Sequence, residues 1–129
     1  MKPLFAFSTN AYTRFGLAAA LGRIRKIGFR AVEILADRPH AYAAELTARK
    51  ISVLARRLDR LGLAVSSVNS NTACGFFTDA PPEPFFEPSF ISPRPEWRRF
   101  RIDYTRRAID LAAAVGAAAG TVTSGRMLG

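Results

Sequence analysis

Three times in 129 residues, an apolar helical stripe runs into an apolar residue, a glycine and then a short apolar segment. The joints are Ile27-Gly28-Phe29, Leu61-Gly62-Leu63 and Val115-Gly116-Ala117. A glycine just past a helical stripe suits the left-handed position that stops a helix. The segment after it is short and bounded by polar residues, which suits a buried strand. The pattern therefore predicts strands over 4–7, 31–35, 63–69 and 119–123, separated by helices over 16–27, from an N-cap at Thr47 to Leu61, and over 96–115. The helical stripes are Leu17, Leu21, Ile24 and Ile27; Ile51, Leu54, Leu58 and Leu61; and Phe100, Tyr104, Ala108, Leu111 and Val115.

Strands that read as buried on both faces, each joined to the next by a helix, are the grammar of a parallel sheet covered by helices. In such a sheet every strand ends on the same side, and functional residues gather there. Four strands and three helices make half of an eight-stranded barrel, which needs about 200 residues or more. The expected fold class is thus α/β: a four-stranded parallel half of a (β/α)8 TIM barrel, truncated. One partial domain spans 1–129, with the first four βα units and no fourth helix. A half barrel leaves two strand edges bare, so self-association through them is expected.

Composition narrows the function classes. Hydrophobic residues make up 49% of the chain, enough for a packed core rather than a disordered segment. The net charge of +9 has two readings, attraction to phosphates and solvated helix faces; the spread of the arginines in short doublets favours the second. Arg56-Arg57, Arg98-Arg99 and Arg106-Arg107 are such doublets. A lone cysteine, Cys74, excludes an internal disulfide and fits a reducing cytoplasm. No run reaches the roughly 18 apolar residues of a membrane span, so no membrane role is expected.

The sequence around the first two strands resembles a known family. Phe7-Ser8-Thr9-Asn10-Ala11-Tyr12 and Ile27-Gly28-Phe29-Arg30-Ala31-Val32-Glu33-Ile34 are similar to the opening of the xylose-isomerase-like TIM-barrel family of sugar phosphate isomerases and epimerases. Asp37-Arg38-Pro39-His40-Ala41-Tyr42, Val68-Asn69-Ser70-Asn71 and Asp103-Tyr104-Thr105-Arg106-Arg107-Ala108-Ile109-Asp110-Leu111-Ala112 extend the likeness in order along nearly the whole chain. The resemblance implies the N-terminal half of such a barrel, in which a carboxylate moves a proton between adjacent carbons of a keto or aldo sugar. It also implies a divalent metal in the intact barrel, held mostly by strands of the second half, with no metal ligand expected in this chain. The implied partner is a small sugar or sugar phosphate. The abasic-site endonucleases share the barrel, which leaves phosphate or nucleic-acid binding as an alternative, although the early-strand histidines that such enzymes use are not found. A non-catalytic half barrel that needs a partner is the third reading. The tail from Ser124 to Gly129 departs from the acidic, Gly/Pro-rich loop that the family places after the fourth strand.

Candidate site residues follow from position. Glu33 lies mid-strand among Val, Ile and Leu, where a carboxylate is costly unless it is paired or serves chemistry. It reads equally as a site carboxylate or as half of an internal ion pair. His40, the single histidine, follows a strand and reads as a proton shuttle or sugar contact, or as a surface residue. Asn10, Asn69 and Asn71 fall at strand C-termini, where an amide suits either a substrate hydroxyl or a loop cap. Cys74, near the loop after the third strand, reads as a ligand contact or, more simply, as a small buried hydrophobe. Phe76, Phe77, Phe85, Phe86, Phe90 and Trp97 fill a proline-rich connection that reads either as an apolar lid or as a loop packed on its own side chains.

Overall fold

The computed structural model describes residues 3–81 and 86–126. In chain order the regular elements are β1 (Ala6–Ser8), α1 (Leu17–Lys26), β2 (Ala31–Leu35), α2 (Ala48–Leu61), β3 (Ala64–Asn69), α3 (Pro95–Ala114) and β4 (Ala119–Thr121). Short 3-10 turns at Thr9–Tyr12, Ala43–Glu45 and Cys74–Phe76 follow the first three strands. The sheet order is β1-β2-β3-β4, and every neighbouring pair is parallel. This is the βαβ succession expected from the repeated joints.

The joints share one geometry. Gly28, Gly62 and Gly116 all have positive φ, at 106°, 60° and 66°. In each, the residue after the glycine bonds back to a helical carbonyl five positions earlier: Phe29 to Ile24, Leu63 to Leu58 and Ala117 to Ala112. The glycine amides reach Arg25, Asp59 and Ala113. These paired bonds satisfy the last carbonyls of each helix and turn the chain into the next strand. At the other end of α2, the Thr47 hydroxyl accepts from the Lys50 amide, as its N-cap position predicts.

One sheet face carries the core. Val32, Ile34, Val65 and Val68 pack with Leu21, Ile24, Leu54, Leu58, Tyr104, Ala108 and Leu111 from the three helices. Each such aliphatic side chain contributes roughly 1.5–3 kcal/mol on burial. Ile27 lies just past the end of α1 and is 57% exposed, so the α1 stripe stops at Ile24.

The edge strands are shorter than the sequence pattern suggests. Pairing of β1 starts where Ala6 meets Ala31, and Leu4 and Phe5 precede that contact, 62% and 74% exposed. Pairing of β4 runs only beside Ser67–Asn69, and all three of its residues are exposed. An edge strand has one neighbour, so its length is set by that neighbour rather than by its own apolar run. The calls on Pro82, Pro84 and Phe85 lie outside the described residues.

Candidate functional site

The face of the sheet away from the helices carries a polar row. Ser8 pairs with Glu33, and Glu33 pairs with Ser67, so three side chains from three strands stand side by side. A bulge makes this possible. Between Val32 and Glu33 the register on β3 skips from Val65 to Ser67, and the extra residue, Ser66, bonds the Val32 carbonyl at 3.1 Å. Strict alternation would place Val65, Ser67 and Asn69 on one face. The bulge instead leaves Val65 and Val68 in the core and sends Ser67 and Asn69 to the Glu33 side.

Glu33 is well held but unpaired by charge. Its Oε1 accepts from the Ser8 hydroxyl at 2.8 Å and the Asn69 amide at 3.3 Å; its Oε2 accepts from the Ser67 hydroxyl at 3.0 Å. No Lys or Arg forms an ion pair with it among the described residues. A carboxylate offers about four acceptor positions, so roughly one, on Oε2, is left for a further donor. The Asn69 side-chain Oδ1 accepts from the Asn71 backbone amide at 3.1 Å, which fixes the Asn69 side chain from both ends. Of the five residues singled out in the sequence, Glu33 and Asn69 thus meet directly.

The other three stand apart from the carboxylate. Asn10 is exposed, and its backbone amide donates to the Ser8 hydroxyl at 3.2 Å. Asn71 acts through its backbone: its carbonyl accepts from Arg101 and Thr123. His40 turns toward the chain before α1, where its Nε2 lies 3.1 Å from the Phe15 carbonyl. The carbonyl can only accept, so Nε2 carries a proton and donates it.

Burial lowers the His40 pKa below its ordinary 6.5, opposed by the backbone of Phe15 and Tyr12. The unfolded chain therefore takes up this proton more readily than the folded one. Stability is expected to be full above about pH 6.5, to fall as pH drops through that value toward the lowered one, and then to level. Thermal melts of the wild type and of His40→Gln from about pH 7.5 to about pH 5 test this. The Gln variant should lose that part of the slope, and an unchanged slope would count against a lowered His40 pKa.

Two buried charges organise the rim next to Asn69, and neither stands out in the sequence. Asp37, just past β2 and 2% exposed, accepts from the amides of Arg38, Cys74 and Gly75 and from the Thr72 hydroxyl, all at 2.7–2.9 Å. Arg101 on α3 is fully buried, and its Nη2 donates to the carbonyls of Ser70 at 2.5 Å and Asn71 at 3.3 Å. The anion takes the amides of the 70–75 loop and the cation takes its carbonyls. Burial lowers the Arg101 pKa, and Tyr104 and Asp37 oppose that. Burial also pushes the Cys74 thiol up, with Asp37 adding to it, so this cysteine is not an activated nucleophile.

The aromatic connection packs on itself. Phe76 meets Phe77, Trp97 and Phe100 at ring-centroid distances of 5.1, 5.8 and 4.6 Å. Phe90 lies under the Arg101 guanidinium. Of the three arginine doublets, Arg56, Arg99, Arg106 and Arg107 are exposed as solvated helix faces require, whereas Arg57 and Arg98 are half-buried, Arg98 donating to the Ser92 carbonyl.

Among the described residues no three His, Cys, Asp or Glu side chains come together as a metal site. The donor set here is one carboxylate with serine and asparagine partners, which does not fit a divalent ion on its own. No helix is long and apolar enough to cross a membrane among the described residues.

A parallel open sheet with its helices on one face and a polar row on the other defines part of a (β/α)8 barrel. The family model for the xylose isomerase-like TIM barrel matches residues 21–129, and the chain belongs to that family. No curated protein sequence matches it. Among solved structures, it is similar to an AP endonuclease of family 2 from Brucella melitensis, with 21% identity and a TM-score of 0.61. That match covers 96% of this chain and 42% of the endonuclease. It is also similar to D-psicose 3-epimerase from Clostridium cellulolyticum H10, crystallised with D-tagatose, with 14% identity and a TM-score of 0.62. Here the shares are 91% of this chain and 36% of the epimerase. At these identities the likeness is one of fold, and the chain spans well under half of either structure: it is a partial barrel.

Proposed function

We propose that these four strands form the substrate side of a barrel that isomerises or epimerises a small sugar or sugar phosphate, in the cytoplasm. The observation that carries this reading is Glu33, a carboxylate held mid-strand on the barrel-axis face with an acceptor position left open and no ion pair among the described residues. Such a group orients a sugar hydroxyl or takes a proton from it. The Ser8 and Ser67 hydroxyls donate to Glu33 and keep lone pairs to accept from neighbouring hydroxyls. Any divalent metal of the complete barrel would take its ligands from strands other than these four. A carboxylate at the centre of the row argues against a phosphate backbone in the same place.

Titrating the chain with D-tagatose, followed by amide shifts, tests the reading. Saturable shifts are expected at Ser67 and Asn69, and Glu33→Gln should weaken them about tenfold by removing one charge-assisted hydrogen bond. The amide keeps the shape, so the fold should survive. Shifts that are absent, or equal in the variant, would refute a substrate role.

The same reading covers the bare edges. Closing the barrel takes four further strands, and for the 129-residue chain a second copy offers them, the β4 edge of one beside the β1 edge of the other. Light scattering after size exclusion should give a dimer or larger, and a monomer at all concentrations would overturn the pairing.

A further inference from the structure

The 36–47 connection, the first turn of α1 and the 50–57 stretch of α2 line a half-open cavity of about 500 Å³ on the helical side of the sheet. Ser8, Glu33, Ser67 and Asn69 do not line it. Its apolar lining is Leu17, Ala18, Leu46, Val53 and Leu54, of which Leu54 is buried and Val53 is 44% exposed. Its rim carries three cations, Arg38, Lys50 and Arg57, against one carboxylate, Glu45. Glu45 is already paired with Arg38. The Lys50 ammonium donates to the Glu45 backbone carbonyl at 3.0 Å. Arg57 is half-buried and has neither a hydrogen bond nor an ion pair among the described residues.

A guanidinium partly withdrawn from water without a counter-charge is a place for an anion. The volume falls within the range of small-molecule sites, which are mostly apolar with a few polar anchors.

We propose that this cavity binds a small amphipathic carboxylate, its head group on Arg57 and its tail along Leu17, Val53 and Leu54. Octanoate is the probe, with octanol as its uncharged counterpart. Titration of the methyl-labelled chain should give saturable shifts at Leu17, Val53 and Leu54. Octanol and the Arg57→Glu variant should each bind about tenfold more weakly. Arg57→Gln, which removes the charge without reversing it, guards against a folding defect in the Glu variant. Absent methyl shifts would overturn the proposal. So would equal binding of octanoate and octanol with both variants indifferent, since that describes an apolar surface without an anion site. Glu33→Gln should leave octanoate binding unchanged, so the outcome is independent of the sugar reading.

Discussion

Asp37→Ala is expected to lower the stability of the fold by about 2–4 kcal/mol and to free the 70–75 loop. The carboxylate accepts four hydrogen bonds, two of them from the Cys74 and Gly75 amides across the barrel rim. Without it those amides lose their acceptor in a place with little water, at about 1–3 kcal/mol each. The relief of no longer burying an anion offsets part of that. The variant also strips Arg101 of a carboxylate whose charge favours its own, leaving a fully buried guanidinium held by carbonyls and the Phe90 and Tyr104 rings. Two measurements check the prediction. The urea midpoint should fall, and hydrogen exchange at Cys74 and Gly75 should rise at least about tenfold more than at core amides of β2. Asp37→Asn should be intermediate, because its amide nitrogen faces donors where Oδ2 faced them. As a control, Asp103→Ala removes an exposed pair with Arg106 and should change stability by less than about 0.5 kcal/mol. If exchange at the loop amides is unchanged in Asp37→Ala, the loop is held by its aromatic packing instead.

Much of this architecture is readable from the chain because local signals and tertiary demands agree. Ala31–Leu35 is a strand by pattern and in fact, since an inner strand buried on both sides shows its whole length as an apolar run. The C′ glycines mark where the three helices stop because no other residue takes that backbone conformation so cheaply. Glu33 is conspicuous for the opposite reason, as a carboxylate that contradicts its apolar neighbours. What stays hidden depends on register and on contacts distant in sequence. The Ser66 bulge decides which β3 side chains reach Glu33, and nothing in Ala64–Asn69 distinguishes Ser66 from Ser67 before pairing with β2 is known. Arg101 precedes Tyr104 by three and shares the spacing of Tyr104, Ala108 and Leu111, so a signal exists. Its charge argues for solvent, and only the carbonyls of a loop 30 residues away reverse that. Asp37 is similar: its partners lie at least 35 residues on, apart from the adjacent Arg38. His40 shows that a strand-end position does not decide the direction of a side chain, since it turns to Phe15 and not to Glu33.

Tyr104→Ala is expected to cost about 3–5 kcal/mol, enough to abolish cooperative unfolding in a half barrel of this size. Tyr104 is 1% exposed, and it joins the helical layer to the end of β2 through two kinds of contact. Its ring lies 5.5 Å from Tyr42 and 5.8 Å from Phe100, the latter stacked. Its hydroxyl donates to the Ala36 carbonyl, one residue before Asp37. Burial raises the Tyr104 pKa and Asp37 raises it further, so the hydroxyl remains a donor throughout the ordinary pH range. Tyr104→Phe separates the two contacts. It keeps the ring and leaves the Ala36 carbonyl without this donor, which should cost about 1–2 kcal/mol. Chemical denaturation of the two variants gives the split directly. A large loss in Ala with a small loss in Phe means that the ring carries the junction and the hydroxyl only aligns it. Losses of similar size would move the weight onto the hydroxyl. In that case the start of the 36–47 connection is tied to α3 chiefly through that hydroxyl, beside the Arg107 bond to the Ala44 carbonyl and the Arg101 bonds to the rim.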